Sequence, residues 1–338
     1  MNVPRVIRGQ VVMKKETVPG VDELLGTYTS ADIIQVIADS IRFTQDPNEI
    51  PNTMTAGNMG RAPSILGPLT ARVDFDCWFR GAGAAYDDSP EVVPGIDRPL
   101  RACRMGRAFS NAGLSNASLV YQQTDTEESF TVYVVEDVPS GNARSYQLVG
   151  CMGTHTWSIS AGGGMRFSFS IYGQLEEIAD ISYVAGSIVL TPAYPTLKSA
   201  AFQIGAANYA PRFRDISWQQ NQTVVPVPSE NAVGAVAGFA VMDRNPRLTF
   251  DPEVDREANS GWWTALSTGA PLKDVTFTMG TSGGWNQLKF KVGAAAGNQG
   301  QVVSQGLSSR DGIVTAPTVV LATISAGNDD YSYTFDNA

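Results

Sequence analysis

"SIRFTQDPNEIP" (residues 40–51) and "DISWQQNQTVVP" (residues 215–226) align without a gap, 175 residues apart. Ile41 falls on Ile216, Gln45 on Gln220 and Pro51 on Pro226, with Phe43 on Trp218 and Asp46 on Asn221. The same offset returns further along, where "RVDFD" (72–76) meets "RLTFD" (247–251) with Arg, Phe and Asp identical. Two matched segments at one spacing are better evidence of repetition than either alone. The chain reads as a tandem duplication of one β-rich domain. An N-terminal arm (1–37) precedes a first domain (38–174), a connection (175–198) that has room for a strand of its own, and a second domain (199–338). "YSYTF" (331–335) resembles "FSFSI" (167–171) at a shorter offset, which implies deletions in the second half.

Alternation supports strands. In "RVDFDCWFR" (72–80), Val73, Phe75, Cys77 and Phe79 share one face, and Arg72, Asp74, Asp76 and Trp78 the other. "SFTVYVV" (129–135) groups Phe130, Val132 and Val134. "THTWSIS" (154–160) sets His155, Trp157 and Ile159 against hydroxyl residues. "AGGG" (161–164) is a turn, and "MRFSFSIYG" (165–173) returns with Phe167, Phe169 and Ile171 inward, which completes a hairpin. "DVTFTMG" (274–280), "QLKFKVG" (287–293) and "TVVLATIS" (318–325) are strand candidates of the second half. Helices are few: "RPLRACRMG" (98–106) and "DREANSGWWTALSTG" (255–269) could each form a short one. The fold class expected is mainly β.

Composition bounds the function. With 338 residues, 43% of them apolar, the chain can bury a sizeable core. Its 33 acidic residues outnumber 24 basic ones, for a net charge of −9, and no basic cluster offers phosphate neutralisation. Three dispersed cysteines, Cys77, Cys103 and Cys151, suggest neither a disulfide framework nor a zinc site, and read as buried free thiols. "MNVPRVIRGQVVMKK" has no continuous apolar stretch of the signal-peptide kind, and no run reaches a membrane span.

Candidate chemical sites are weak. His155 is the only histidine, so any Ser-His-Asp or Cys-His system would need it; a packed structural histidine fits a mid-strand position better. "SAGGGMRFS" lacks the Gly-Lys-Ser/Thr ending and the following helix of a phosphate loop. The acidic stretches "YDDSPE" (86–91), "DTEESF" (125–130) and "GNDDY" (328–331) lack the alternating oxygen ligands of a calcium loop. Trp78 and the pair Trp262-Trp263 could stack sugars, but adjacent tryptophans more often divide between core and interface. No enzyme activity and no cofactor is expected.

The order of features resembles the major tail (tail tube) proteins of long-tailed, non-contractile bacteriophages, the siphovirus type. The resemblance is carried by "KKETVPGVD" (14–22), "SADIIQV" (30–36), "RVDFDCWFRG", "RPLRACRMG", the block "YQLVGCMGTHTWSISAGGGMRFSFSIYG" (146–173), "VTFTMGTSGGWNQLKF" and "RDGIVTAPTVVLA" (310–322). It spans nearly the whole chain and rests on order and spacing. It implies two tandem β-sandwich or β-barrel domains, each with a short flanking helix. It also implies rings of self-associated subunits, stacked into a tube through which DNA passes without specific binding. The partners implied are the tape-measure, tail terminator and distal tail proteins, and the place is the virion tail, assembled in the host bacterial cytoplasm with no membrane involved. Other readings remain open: another virion β-domain (capsid, decoration or fibre) or a carbohydrate-binding β-sandwich.

Three expectations complete this reading. A chain with two copies of the wall unit gives a trimeric ring of pseudo-sixfold symmetry; the alternative is a true hexamer. The stretches 44–70 and 82–97, with the arm 1–30, are long for mere connections, so at least one would reach an adjacent ring. An acidic lumen would keep DNA mobile, and Asp74 and Asp76, turned away from the core by the alternation, are the channel-facing candidates.

Overall fold

The computed structural model of the protein describes residues 9–50, 65–137, 142–186, 191–196, 201–204, 213–229, 236–254, 264, 266–267, 275–280, 283–293, 300–324 and 327–337. The period-2 stretches of the sequence are its strands. Val73, Phe75, Cys77 and Phe79 are buried, as are His155, Trp157, Ile159, Phe167, Phe169 and Ile171. Alternating β-branched and aromatic residues suit a pleated surface with one covered face.

In chain order the strands of the N-terminal half are β1 (Gly9–Lys15), β2 (Ile33–Ile34), β3 (Arg42–Ile50), β4 (Ile65–Trp78), β5 (Asp87–Asp88), β6 (Glu91–Val92), β7 (Met105–Ser110), β8 (Ser118–Gln123), β9 (Phe130–Asp137), β10 (Asn142–Ser160) and β11 (Arg166–Ser182). Those of the C-terminal half are β12 (Ala201–Ile204), β13 (Phe213–Gln219), β14 (Gln222–Pro228), β15 (Val236–Arg244), β16 (Arg247–Pro252), β17 (Val275–Met279), β18 (Gln287–Val292), β19 (Gly300–Gln305), β20 (Ser308–Arg310), β21 (Ile313–Thr315), β22 (Thr318–Ala322) and β23 (Tyr331–Asp336). One short helix, α1 (Asp97–Ala102), precedes β7. It stops where Arg104 takes a left-handed backbone (φ 60°), a common helix terminator. The second expected helix, 255–269 with Trp262-Trp263, lies almost wholly outside the described residues.

Two sheets enclose the main core. The first is 11-stranded, and its main path runs β3-β4-β11-β10-β13-β16-β22-β19. The second is 6-stranded, in the order β12-β17-β18-β23-β8-β7. All the pairings are antiparallel, and neither sheet closes into a barrel. Aromatic rings from both sheets interlock between the layers: Trp157 meets Phe290 at 5.2 Å, and Trp218 meets Tyr331 at 4.6 Å. One hydrophobic cluster runs from Val11 to Phe335, so the two halves share a core instead of enclosing one each.

The repeat is visible in the strand pairing. Phe43 pairs with Val73 in β3·β4, and Trp218 with Leu248 in β13·β16, so the offset of the sequence match is kept across the ladder. Trp78 faces Arg166, and Glu253 faces Thr315 at the corresponding place. One step on, Phe79 N–H donates to Met165 O (2.9 Å) and Val254 N–H to Val314 O (3.1 Å). The four-strand order β3-β4-β11-β10 of the first half is thus repeated by β13-β16-β22-β19, and β10·β13 joins the two.

The structure revises several expectations. The segment 1–37 is not a free arm from residue 9 onward: β1 pairs with β9 from Gly9↔Glu136 to Lys15↔Phe130, and Val11, Val12 and Met13 are wholly buried. The connection 175–198 begins later, because β11 runs on to Ser182 against the first part of β10. β23 is not the counterpart of 167–171: it lies inside the second sheet, whereas the strand matching 166–171 by pairing is β22 with the end of β21. β9 is buried on both faces, Tyr133 and Val135 joining a second cluster with Leu24, Tyr28 and Ile181. Within 44–70, the described residues belong to β3 and β4, and within 82–97 two short strands, β5 and β6, form a small ladder.

Candidate assembly surfaces: the polar sheet face and two open edges

The face of the first sheet turned away from the core is built by the other half of the alternation. On β10 it carries Thr154, Thr156, Ser158 and Ser160; on β11, Ser168 and Ser170; across the junction, Ser217 and Gln219 of β13. Arginines and aspartates sit among these hydroxyls. A shallow hollow on β3, β4 and β11 is lined by Arg42, Arg72 and Arg166 together with Asp39, Asp74 and Asp76, three of each sign.

Asp74 and Asp76 point to this face, but neither is a free charge. Asp74 accepts from Arg72 Nη2 (2.6 Å) and from Ser170 Oγ (2.6 Å). Asp76 is ion-paired with Arg166 and lies buried beneath it. Its backbone is tied as well: Asp76 N–H donates to Ser40 Oγ (3.1 Å), and Asp76 O accepts from Ile37 N–H (2.7 Å). The second half repeats the arrangement with a different partner. Asp251, at the place of Asp76, pairs with Arg310 and accepts from the N–H groups of Arg214 and Asp215 at 3.2 Å each. Arg72 lies two residues from Asp74 on β4, but Arg166 and Arg310 had no signature in the sequence, because they come from other strands.

The edges are the second feature. Among the described residues, β3 and β19 end the main path with no further strand beyond them. Unpaired N–H and C=O groups along a sheet edge are templates for another strand. The edge of β10, by contrast, is shared by two strands. β9 pairs with its first part, and after the bulge at Gly150 (φ 62°) β13 pairs with its last five residues.

Neither His155 nor any of the three cysteines is placed for acid-base or nucleophilic chemistry. His155 is buried, its Nε2 lying 2.8 Å from Tyr333 Oη, which also accepts from Trp157 Nε1 (3.1 Å). Burial pushes the imidazole pKa down to about 3, so it stays neutral. Cys77, Cys103 and Cys151 are buried free thiols whose pKa values are raised by burial, the opposite of what a nucleophile needs. Ala161 and the glycines 162–164 make the β10–β11 turn, and among the described residues no group of His, Cys, Asp and Glu is arranged to hold a metal. Trp78 is exposed, and Tyr194 stacks on it at 5.5 Å. No helix among the described residues is long and apolar enough to cross a membrane.

The buried charges serve the fold. Asp97 at the start of α1 accepts from Tyr121 Oη (2.6 Å) and pairs with Arg101 (3.4 Å) and Arg107 (3.3 Å). Arg101 also holds Glu128 (2.6 Å), which in turn binds Lys15 of β1 (2.7 Å). Glu16 accepts from Gly150 N–H (2.8 Å) and Gly20 N–H (2.7 Å), fixing the bulge; burial raises its pKa despite these bonds.

No protein-family model matches the chain, and no curated protein matches it.

Proposed function

We propose that the protein is a structural subunit of a bacteriophage tail tube, self-assembling into rings that stack around a channel for the genome. The observation that carries this reading is the first sheet: one four-strand order written twice in a row, ending among the described residues in two open edges. Such a sheet hides its edges by joining other copies of itself. Three chains supply six four-strand units, so the ring is a trimer with pseudo-sixfold symmetry; six chains per ring is the alternative. The sequence features shared with tail tube proteins favour the same reading.

The polar sheet face suits a channel wall. DNA is held by cationic groups that can neutralise phosphate. On this face Arg72, Arg166 and Arg310 are already committed to carboxylates. A wall of hydroxyls and internally compensated charges lets the polymer slide. Its passivity then comes from paired arginines, and Asp74 and Asp76 act by occupying them instead of by repelling DNA.

Electron microscopy of the purified protein tests the proposal. Rings or tubes about a central channel are expected, with three chains per ring. Isolated monomers at high concentration, or closed icosahedral shells, would overturn it.

A further inference from the structure

The join between the two halves inside one chain is a template for the join between chains. At the internal junction β10 pairs with β13 in the register Thr156↔Gln219, Trp157↔Trp218, Ser158↔Ser217, Ile159↔Ile216 and Ser160↔Asp215. The repeat places 40–44 where 215–219 stand, since Phe43 pairs with Val73 as Trp218 pairs with Leu248. It places 306–310 where 156–160 stand, since Ser308 pairs with Thr315 as Ser158 pairs with Arg166, and Thr315 and Arg166 are themselves equivalent. The second half therefore ends in the strand that the first half uses for its junction, and the first half begins with the strand that would receive it.

Burial points the same way. Trp157, Met165 and Phe79 in the first half are 1%, 0% and 0% exposed; their counterparts Leu307, Val314 and Val254 are 79%, 53% and 48% exposed. At the other edge, Ile216 and Trp218 are buried, while Ile41 and Phe43 are only partly covered. Apolar residues are thus left exposed at one end and only partly covered at the other, at positions that the internal junction buries.

Resting on the tube reading only for the ring's closure, we infer that residues 306–310 of one copy pair antiparallel with residues 40–44 of a second copy. The register sets Leu307 against Phe43 and Ser308 against Arg42. The contact is head-to-tail, so it propagates from copy to copy and closes only through rotation. The receiving strand is marked by the sequence repeat, but the other half of the seam is not: 306–310 contains a single large apolar residue, and its role follows from its place beside β21.

Directly opposed residues of an antiparallel pair have Cα atoms about 4.5–5.5 Å apart, inside the range a disulfide spans. The test mixes one chain carrying Arg42→Cys with another carrying Ser308→Cys and oxidises them; both positions are exposed, and the three native thiols are buried. The expected product is a heterodimer band, with homodimers at least tenfold weaker. Replacing Arg42→Cys by Thr44→Cys, two residues out of register, is expected to cut the yield at least tenfold. Homodimers as the main product, or equal yields from the shifted pair, would overturn the register. Leu307→Asp is expected to raise the concentration needed for assembly at least tenfold while the far-UV circular dichroism of the monomer is unchanged; assembly at the wild-type concentration would overturn the seam. Microscopy of the same samples separates this inference from the tube reading. Tubes without the cross-link leave the tube and remove the seam, whereas the cross-link in open filaments keeps the seam and removes the tube.

Discussion

His155 gives the fold a pH dependence whose size follows from its site. The imidazole is buried among Phe167, Phe169 and Tyr333, and burial holds its pKa at about 3 against an ordinary 6.5. In the unfolded chain it takes up a proton below pH 6.5; in the folded chain it does so only near pH 3. Between these values the unfolded state binds one more proton, so stability falls as pH falls, by about 1.4 kcal/mol per pH unit. Above pH 6.5 both states are neutral and the group contributes no slope. From pH 6.5 to 5 the loss from this one residue is about 2 kcal/mol, and by pH 3 it approaches ~5 kcal/mol, comparable with the whole stability of a marginal domain. The assay is urea unfolding of unassembled protein at pH 7.5, 6, 5.5 and 5, for the wild type and for His155→Gln, which cannot protonate. Other titrating groups cancel in the difference. The variant is expected to be less stable at pH 7.5 and to gain on the wild type by about 2 kcal/mol at pH 5. Parallel profiles, with one constant difference at every pH, would refute the reasoning.

Other expectations concern the anchors of the fold. Tyr333→Phe leaves Trp157 Nε1 without its acceptor in the core, and a loss of about 1–3 kcal/mol is expected by chemical denaturation. Asp97→Asn breaks a buried network that joins Tyr121, Arg101 and Arg107, and is expected to cost about 3–5 kcal/mol; Lys15→Ala, at a half-exposed pair, should cost under about 1 kcal/mol in the same assay. Removal of residues 1–15 takes away β1 and three wholly buried side chains, worth about 1.5–3 kcal/mol each. That truncation is expected to unfold the monomer, seen as loss of near-UV circular dichroism; a folded truncated monomer would count against β1 as part of the core.

What was legible in the sequence is what local pattern encodes. Period-2 alternation with one covered face fixed the inward sets Val73-Phe75-Cys77-Phe79, His155-Trp157-Ile159 and Phe167-Phe169-Ile171, because a strand has only two faces. The match of 40–51 with 215–226 was likewise legible, and the ladder register kept its offset. The outward direction of Asp74 and Asp76 followed from the same alternation.

What pattern could not encode is which strands meet. β23 reads like 167–171 because any half-buried aromatic strand does, yet it pairs between β18 and β8 in the other sheet. Tyr133 and Val135 occupy the polar phase of their strand and are buried all the same, because Leu24, Tyr28 and Ile181 arrive from distant segments to cover them. Arg166 and Arg310 reach the carboxylates of Asp76 and Asp251 from 90 and 59 residues away in the chain. The main core shared by both halves, the junction β10·β13 and the open edges are likewise long-range outcomes. Alternation specifies how much of each strand is buried, whereas partners are chosen by the joint packing of all the faces and by backbone groups that every residue carries alike.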